Sequence, residues 1–221
     1  TSVYDAVSTS PVDAEPACSI SIVLLSGYTI GSLWPFPPIY YSKNLAKESP
    51  CSNNTAQRIL VVGSPGAGKS TFARALRDVL DLPLVYLDML WHKPDQTTAT
   101  CTEFDAELQA ILPRDRWIID GNYADLKRRL ERAEAVFLFD LPAKECLAGA
   151  TARIGHPRED LPWIEHELDA EFAEYIRCFP TDQLPQLLAT IDARPRNTSL
   201  VTFHSHEEAD AYIETLKNAQ K

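Results

Sequence analysis

The spacing of hydrophobic positions changes near residue 57 of this 221-residue chain. From Arg58 onward, short apolar runs alternate with stretches whose apolar residues recur every three or four positions. RILVVG (58–63) ends in glycine and reads as a first strand. Residues 69–80 read as a helix with Phe72, Leu76, Val79 and Leu80 apolar. LPLVYLD (82–88) reads as a second strand. Thr102 is placed to cap a helix that runs to Leu112, with Phe104, Leu108 and Ile111 on one face. RWIID (116–120) and AVFLFD (135–140) are the third and fourth strands, with a short charged helix over 124–132 between them. Helices are predicted over 142–153, 164–178 and 183–191, and SLVTF (199–203) is a fifth strand. Ser205 and Glu208 have the spacing of a capping box for a last helix, to about Leu216.

Four of the five strands are continuous apolar runs, and each connection contains a helix. Strands of that kind are buried on both faces, so the pattern defines an α/β doubly wound domain: a parallel sheet with helices on both faces and right-handed crossovers. No internal repeat is visible.

Residues 1–57 follow neither period. They hold six charged side chains among many Ser, Thr and Pro, and read as a poorly structured N-terminal extension to the 58–221 domain. The uncharged run ACSISIVLLSGYTIGSLW (17–34) raises a membrane or signal segment. Asp13 and Glu15 stand where a signal needs positive charge, and serines, glycines and WPFPP interrupt or end the run. A membrane association is therefore not expected.

Charge narrows the partners. The net charge is −10, and an acidic chain is a poor binder of phosphate backbones. The best candidate for a basic patch is small: Lys127, Arg128 and Arg129 with Arg132. Direct nucleic-acid binding is not expected. Five widely spaced cysteines include no CxxC and suit a reduced, cytoplasmic protein. His204 and His206 resemble a ligand pair but lack a third partner and read as a surface turn.

The chemistry centres on GSPGAGKS (63–70), which fits G-x-x-x-x-G-K-S/T between a strand and a helix. Gly63, Gly66 and Gly68, with Ser64, Pro65 and Ala67, form a backbone curl whose N–H groups face a phosphate at a helix N-terminus. Lys69 is placed to reach the β- and γ-phosphates, Ser70 to hold Mg²⁺, and Thr71 to meet the α-phosphate. The pattern implies ATP with Mg²⁺.

Ligands of an open parallel sheet bind beyond the carboxyl ends of its strands. Three carboxylates fall there: Asp88, Asp120 and Asp140. Asp120, in WIIDGNY, suits a carboxylate that orients Mg²⁺, with Gly121 allowing close approach. Asp88 suits a base for an acceptor hydroxyl. Asp140 equally suits a cap. Phosphoryl transfer also wants cations, for which Arg129, Arg132, Arg153 and Arg158 are candidates. The last two lie in ARIGHPRED, a Gly- and Pro-punctuated stretch that suits a lid. Seven acids and no Lys or Arg over 159–174 read as a solvated helix face, with Trp163, Phe172 and Ile176 inward.

Taken in order, GSPGAGKSTFARAL, LPLVYLDMLWHKP, DRWIIDGNY, RLERAEAVFLFDLP with ECL after it, and REDLPWIEHELDAEFAEYI resemble the adenylate-kinase-related P-loop proteins called topology-modulation or FlaR-like proteins. The resemblance covers about residues 58–217. It implies a P-loop NTPase fold of the nucleoside and nucleotide kinase type, with a five-stranded parallel sheet in order 2-3-1-4-5 and a small helical lid. It also implies ATP as donor, Mg²⁺, and an acceptor region near Asp88 and Trp91. Two positions depart from adenylate kinases. Gly149 stands where an arginine is common, and Asn122 and Tyr123 replace the Phe-Pro-Arg that holds a nucleoside monophosphate.

These readings converge on an ATP-dependent phosphotransferase. Its small-molecule acceptor, a nucleotide, nucleoside or other compound, would lie near Asp88, Trp91, Asn122 and Tyr123. The alternative is a non-catalytic ATP-binding switch, with a link to DNA topology as a third reading.

Overall fold

The computed structural model describes residues 56–123 and 125–220. The readings for the N-terminal extension, the 17–34 run, Cys18 and Cys51 lie outside the described residues. Within them, Cys101, Cys146 and Cys178 are free thiols, and no helix is long and apolar enough to cross a membrane.

Five parallel strands carry the domain: β1 (Arg58–Gly63), β2 (Leu84–Tyr86), β3 (Trp117–Asp120), β4 (Ala135–Phe139) and β5 (Ser199–Phe203), in order β2-β3-β1-β4-β5. Alternation along β1 sends Ile59 and Val61 into one core and Leu60 and Val62 into the other. The first core is closed by α1 (Lys69–Leu80) and α8 (His206–Ala219), through Phe72, Leu76 and Ile213. The second is closed by α3 (Cys101–Ile111), α4 (Leu126–Leu130) and α7 (Leu184–Asp192), through Phe104, Leu108, Leu130 and Ile191. Burial on both faces explains why the strands read as continuous apolar runs.

Of the boundaries that differ from the sequence reading, three bear on the argument. The second strand ends at Tyr86, and a single helical turn, α2 (Leu87–Trp91), follows. Leu87 and Trp91 are one turn apart and both buried, so helical spacing suits this segment better than strand alternation. Asp88 consequently sits in the first turn of α2 rather than at a strand end. Secondly, α3 is capped by Thr100 rather than Thr102, because Glu103 then falls three residues on and closes the capping box. Thirdly, the helix expected from 164 starts at Ala170, where Asp169 caps Phe172 N–H. The connection from α5 (Ala143–Ala152) to α6 (Ala170–Asp182) is therefore irregular over 153–169. At α8, Ser205 accepts from Glu208 N–H as predicted, but the Glu208 carboxylate reaches His204 N–H instead of closing the box.

Candidate active site

β1 ends in the phosphate loop, which wraps into α1 beyond the carboxyl edge of the sheet. Gly63 has φ 127° and lies so close to β4 that any Cβ would collide with the Phe139 backbone. Asn122 clamps the same residue: its Oδ1 accepts from Gly63 N–H at 3.0 Å and its Nδ2 donates to Gly63 O at 2.8 Å. α5 packs just as tightly. A Cβ on Gly66 would meet the Cys146 carbonyl, and one on Gly149 would meet the Gly66 carbonyl. Glycine at 149 is thus a packing requirement. An arginine at this position would push the phosphate loop apart.

Lys69 Nζ donates to Gly63 O at 3.1 Å and Ser64 O at 2.7 Å. Burial lowers its pKa, and the carboxylates of Asp120 and Asp88 oppose that shift. Asp120, at the end of β3, is buried, and its Oδ1 has no hydrogen-bond partner among the described residues. Its carboxyl lies beside the Ser70 hydroxyl, and burial pushes its pKa up to about 7. Such an atom is costly unless it is paired. A carboxylate and a hydroxyl side by side, with phosphate oxygens beyond, match the oxygen donors Mg²⁺ prefers. Among the described residues no group of three or more His, Cys, Asp or Glu could hold a metal alone. The donor set therefore fits a cation completed by its substrate.

The raised Asp120 pKa has a consequence for stability. Between pH 3.8, its ordinary value, and about 7, the folded state holds a proton that the unfolded state has released. This group's contribution is thus full at low pH and lost as pH rises to 7, by about 4 kcal/mol over the three units. Metal-free urea unfolding should show Asp120→Asn gaining stability over wild type at pH 8 and converging with it near pH 4. Parallel curves at all pH values would contradict the burial argument.

One cavity of about 1030 Å³ joins the phosphate loop to Asp88 and to the 153–169 stretch. It is lined by Lys69, Ser70, Asp88, Asp120, Asn122 and Tyr123, and by Arg153 and Arg158. Asp88 is desolvated, which raises its pKa; the Tyr123 hydroxyl beside it opposes the shift. Burial pushes Tyr123 well above the ordinary phenol value. The same hydroxyl lies 3.3 Å from His92 Nε2. The His92 ring meets Trp163 edge to face at 5.1 Å, so the irregular stretch closes on α2 here. Arg153 pairs with Glu165 at 3.2 Å and covers the Phe172 ring at 5.3 Å. Arg158 pairs with Asp160 at 3.5 Å and Glu165 at 3.3 Å.

Outside the phosphate loop, four of the predicted residues, Arg129, Trp91, Arg132 and Asp140, do not line this cavity: Arg132 is exposed, with its carbonyl accepting from Arg58 Nε, and Asp140 lies beside His204. Arg129, expected to neutralise the transferring phosphate, is 0% exposed. Its guanidinium donates to Gly121 O at 2.9 Å and to Tyr123 O, and burial lowers its pKa to about 10. Arg129 therefore fixes the DGNY turn from beneath. Trp91 is buried against Tyr123, stacked at 6.1 Å, and against Phe104. It supports Tyr123 from behind. Arg129→Ala leaves two carbonyls unpaired and a cavity, and should cost about 3 kcal/mol or more. Thermal unfolding should then fall by about 10 °C; an unchanged midpoint would refute this role. In the other direction, His206 of α8, read as a surface turn, lines the cavity beside Gly68. His92, Asp160, Trp163 and Glu165 line it too; in the sequence nothing ties them to Asp88.

A glycine-rich strand-to-helix loop at the edge of a parallel 2-3-1-4-5 sheet defines a P-loop NTPase fold. One solved structure shares this fold, and two others are similar at lower scores. A shikimate kinase from Bacteroides thetaiotaomicron superposes with a TM-score of 0.51 at 13% identity, covering 75% of this chain and 99% of that one. A shikimate kinase from Acinetobacter baumannii in complex with shikimate has a TM-score of 0.49 at 14% identity, covering 78% and 97%. A gluconokinase from Sinorhizobium meliloti 1021 has a TM-score of 0.42 at 16% identity, covering 74% and 95%. No family model and no curated protein matches the sequence.

Proposed function

We propose that the protein is an ATP-dependent kinase that phosphorylates a small hydroxyl-bearing acceptor. The observation that carries this reading is the single cavity in which Lys69 of the phosphate loop and Asp88 of α2 lie close enough to influence each other's charge. A site for nucleotide alone has no use for a desolvated carboxylate across from the transferring phosphate. A two-substrate site needs one there.

The backbone N–H groups of Gly66, Gly68, Lys69, Ser70 and Thr71 bind the donor phosphates, with the Lys69 ammonium on the β- and γ-phosphates and the Thr71 hydroxyl near the α-phosphate. Ser70 and Asp120 would hold Mg²⁺, which supplies charge neutralisation on the transferring group. Asp88 orients the acceptor hydroxyl and accepts its proton, while Tyr123 holds Asp88 in place. Arg153 and Arg158 turn from Glu165 and Asp160 to the γ-phosphate as charge develops. Asn122 keeps Gly63 in register, so its role is in positioning the loop. The shikimate kinase fold neighbour and the motif resemblance to topology-modulation proteins support the same reading, and the cysteine pattern suits a cytoplasmic setting. An acceptor screen with ADP release as readout tests it. Release should depend on acceptor; ATP binding with no acceptor-dependent release would instead identify a switch.

A further inference from the structure

We propose that the acceptor half of the site takes an uncharged hydroxyl compound and selects against one bearing a phosphate or carboxylate. The proposal rests on the kinase reading above and names its substrate class. A partly buried anion is held by a cation that is not already neutralised, most often a bidentate arginine. Among the described residues the buried wall of the acceptor half offers none. Arg153 and Arg158 share two carboxylates, Glu165 at 3.2 and 3.3 Å and Asp160 at 3.5 Å, so this wall sums to zero charge. Arg129, which the sequence places nearby, is spent on the carbonyls of Gly121 and Tyr123. Lys69 lies on the carbonyls of Gly63 and Ser64, at the donor end.

Moving the arginines does not release a cation for the acceptor. If Arg153 and Arg158 turn to the γ-phosphate, Asp160 and Glu165 are left facing the acceptor beside Asp88, and the compartment becomes more negative. Burial keeps the His92 imidazole below its ordinary pKa, hence neutral near pH 7. At the rim, Arg74 donates to Thr71 Oγ1 on the donor side; Lys127 has no ion pair among the described residues, but it is exposed, where solvent screens its charge. What remains is hydrogen-bonding capacity: the Asp88 carboxylate, the Tyr123 hydroxyl, His92 and the Trp163 ring. That set suits an alcohol, from a nucleoside or a neutral sugar.

Calorimetry on the full chain saturated with Mg·ADP tests the charge rule, using the matched pairs adenosine and AMP, and glucose and gluconate. The pair that binds distinguishes the two sources. Wild type should bind AMP and gluconate no better than their neutral partners. Glu165→Gln, which unmasks the arginines, should bind at least one of the anions about tenfold more tightly, as should Asp160→Asn to a lesser degree. Unchanged Mg·ADP affinity shows that each variant is folded. Wild type preferring AMP to adenosine or gluconate to glucose, or no gain for either anion in Glu165→Gln, overturns the proposal. Failure of wild type to bind Mg·ADP overturns the kinase reading and this one with it. An acceptor that binds by this charge rule but gives no ADP from Mg·ATP in a separate assay sinks the kinase reading, while the charge preference of the pocket stands.

Discussion

Lys69→Ala is expected to lower acceptor-dependent ADP release by about 10³-fold and to weaken ATP binding, the largest loss from any single side chain in the site. The reason lies in the geometry. Lys69 is the first residue of α1, and its ammonium is drawn back across the loop onto Gly63 O and Ser64 O. It is thus held over the concavity that the loop N–H groups form, already desolvated, between Asp120 and Asp88. A charge placed there loses little to solvent reorganisation during transfer. Ala removes the charge and exposes two carbonyl oxygens to the phosphates. ADP release and the affinity of a non-hydrolysable ATP analogue measure both effects. Full activity would refute the donor assignment.

Asp88→Asn should act differently. It should leave Mg·ATP affinity within about twofold of wild type and lower kcat by about 10² to 10⁴, the usual range for loss of a general base. Asn matches the shape of Asp, so contact with Tyr123 can persist while proton acceptance is lost. The separation of binding from turnover is the diagnostic. Weakened ATP binding with kcat preserved would mean that Asp88 supports the loop instead of the acceptor.

The donor half was legible in the sequence because it is local: strand, glycine loop, lysine and helix are consecutive, from Arg58 to Leu80. Asp120 was legible because a strand end projects towards ligand in every open parallel sheet. The acceptor half is assembled from distant segments and was read less well. Lys127, Arg128 and Arg129 are consecutive, and nothing in that triplet says which one turns inward; the fold buries Arg129. Asn122 was expected at the acceptor; it lines the cavity, and its amide also binds Gly63, 59 residues earlier. The absence of arginine at 149 reads as a missing catalytic group until α5 is seen against the Gly66 carbonyl. Likewise the acids of 159–174 read as a solvated face, whereas Asp160 and Glu165 turn inward to hold the two arginines.

A two-substrate site passes a phosphoryl group from ATP to an acceptor held in the same cavity. Phosphorus NMR of the full chain with Mg·ATP and a mixture of small alcohols observes that transfer directly. The ATP resonances should give way to ADP and a new phosphomonoester, and Asp88→Asn should form neither at a comparable rate. ATP that persists, or that yields only ADP and inorganic phosphate in wild type, would contradict transfer to an acceptor.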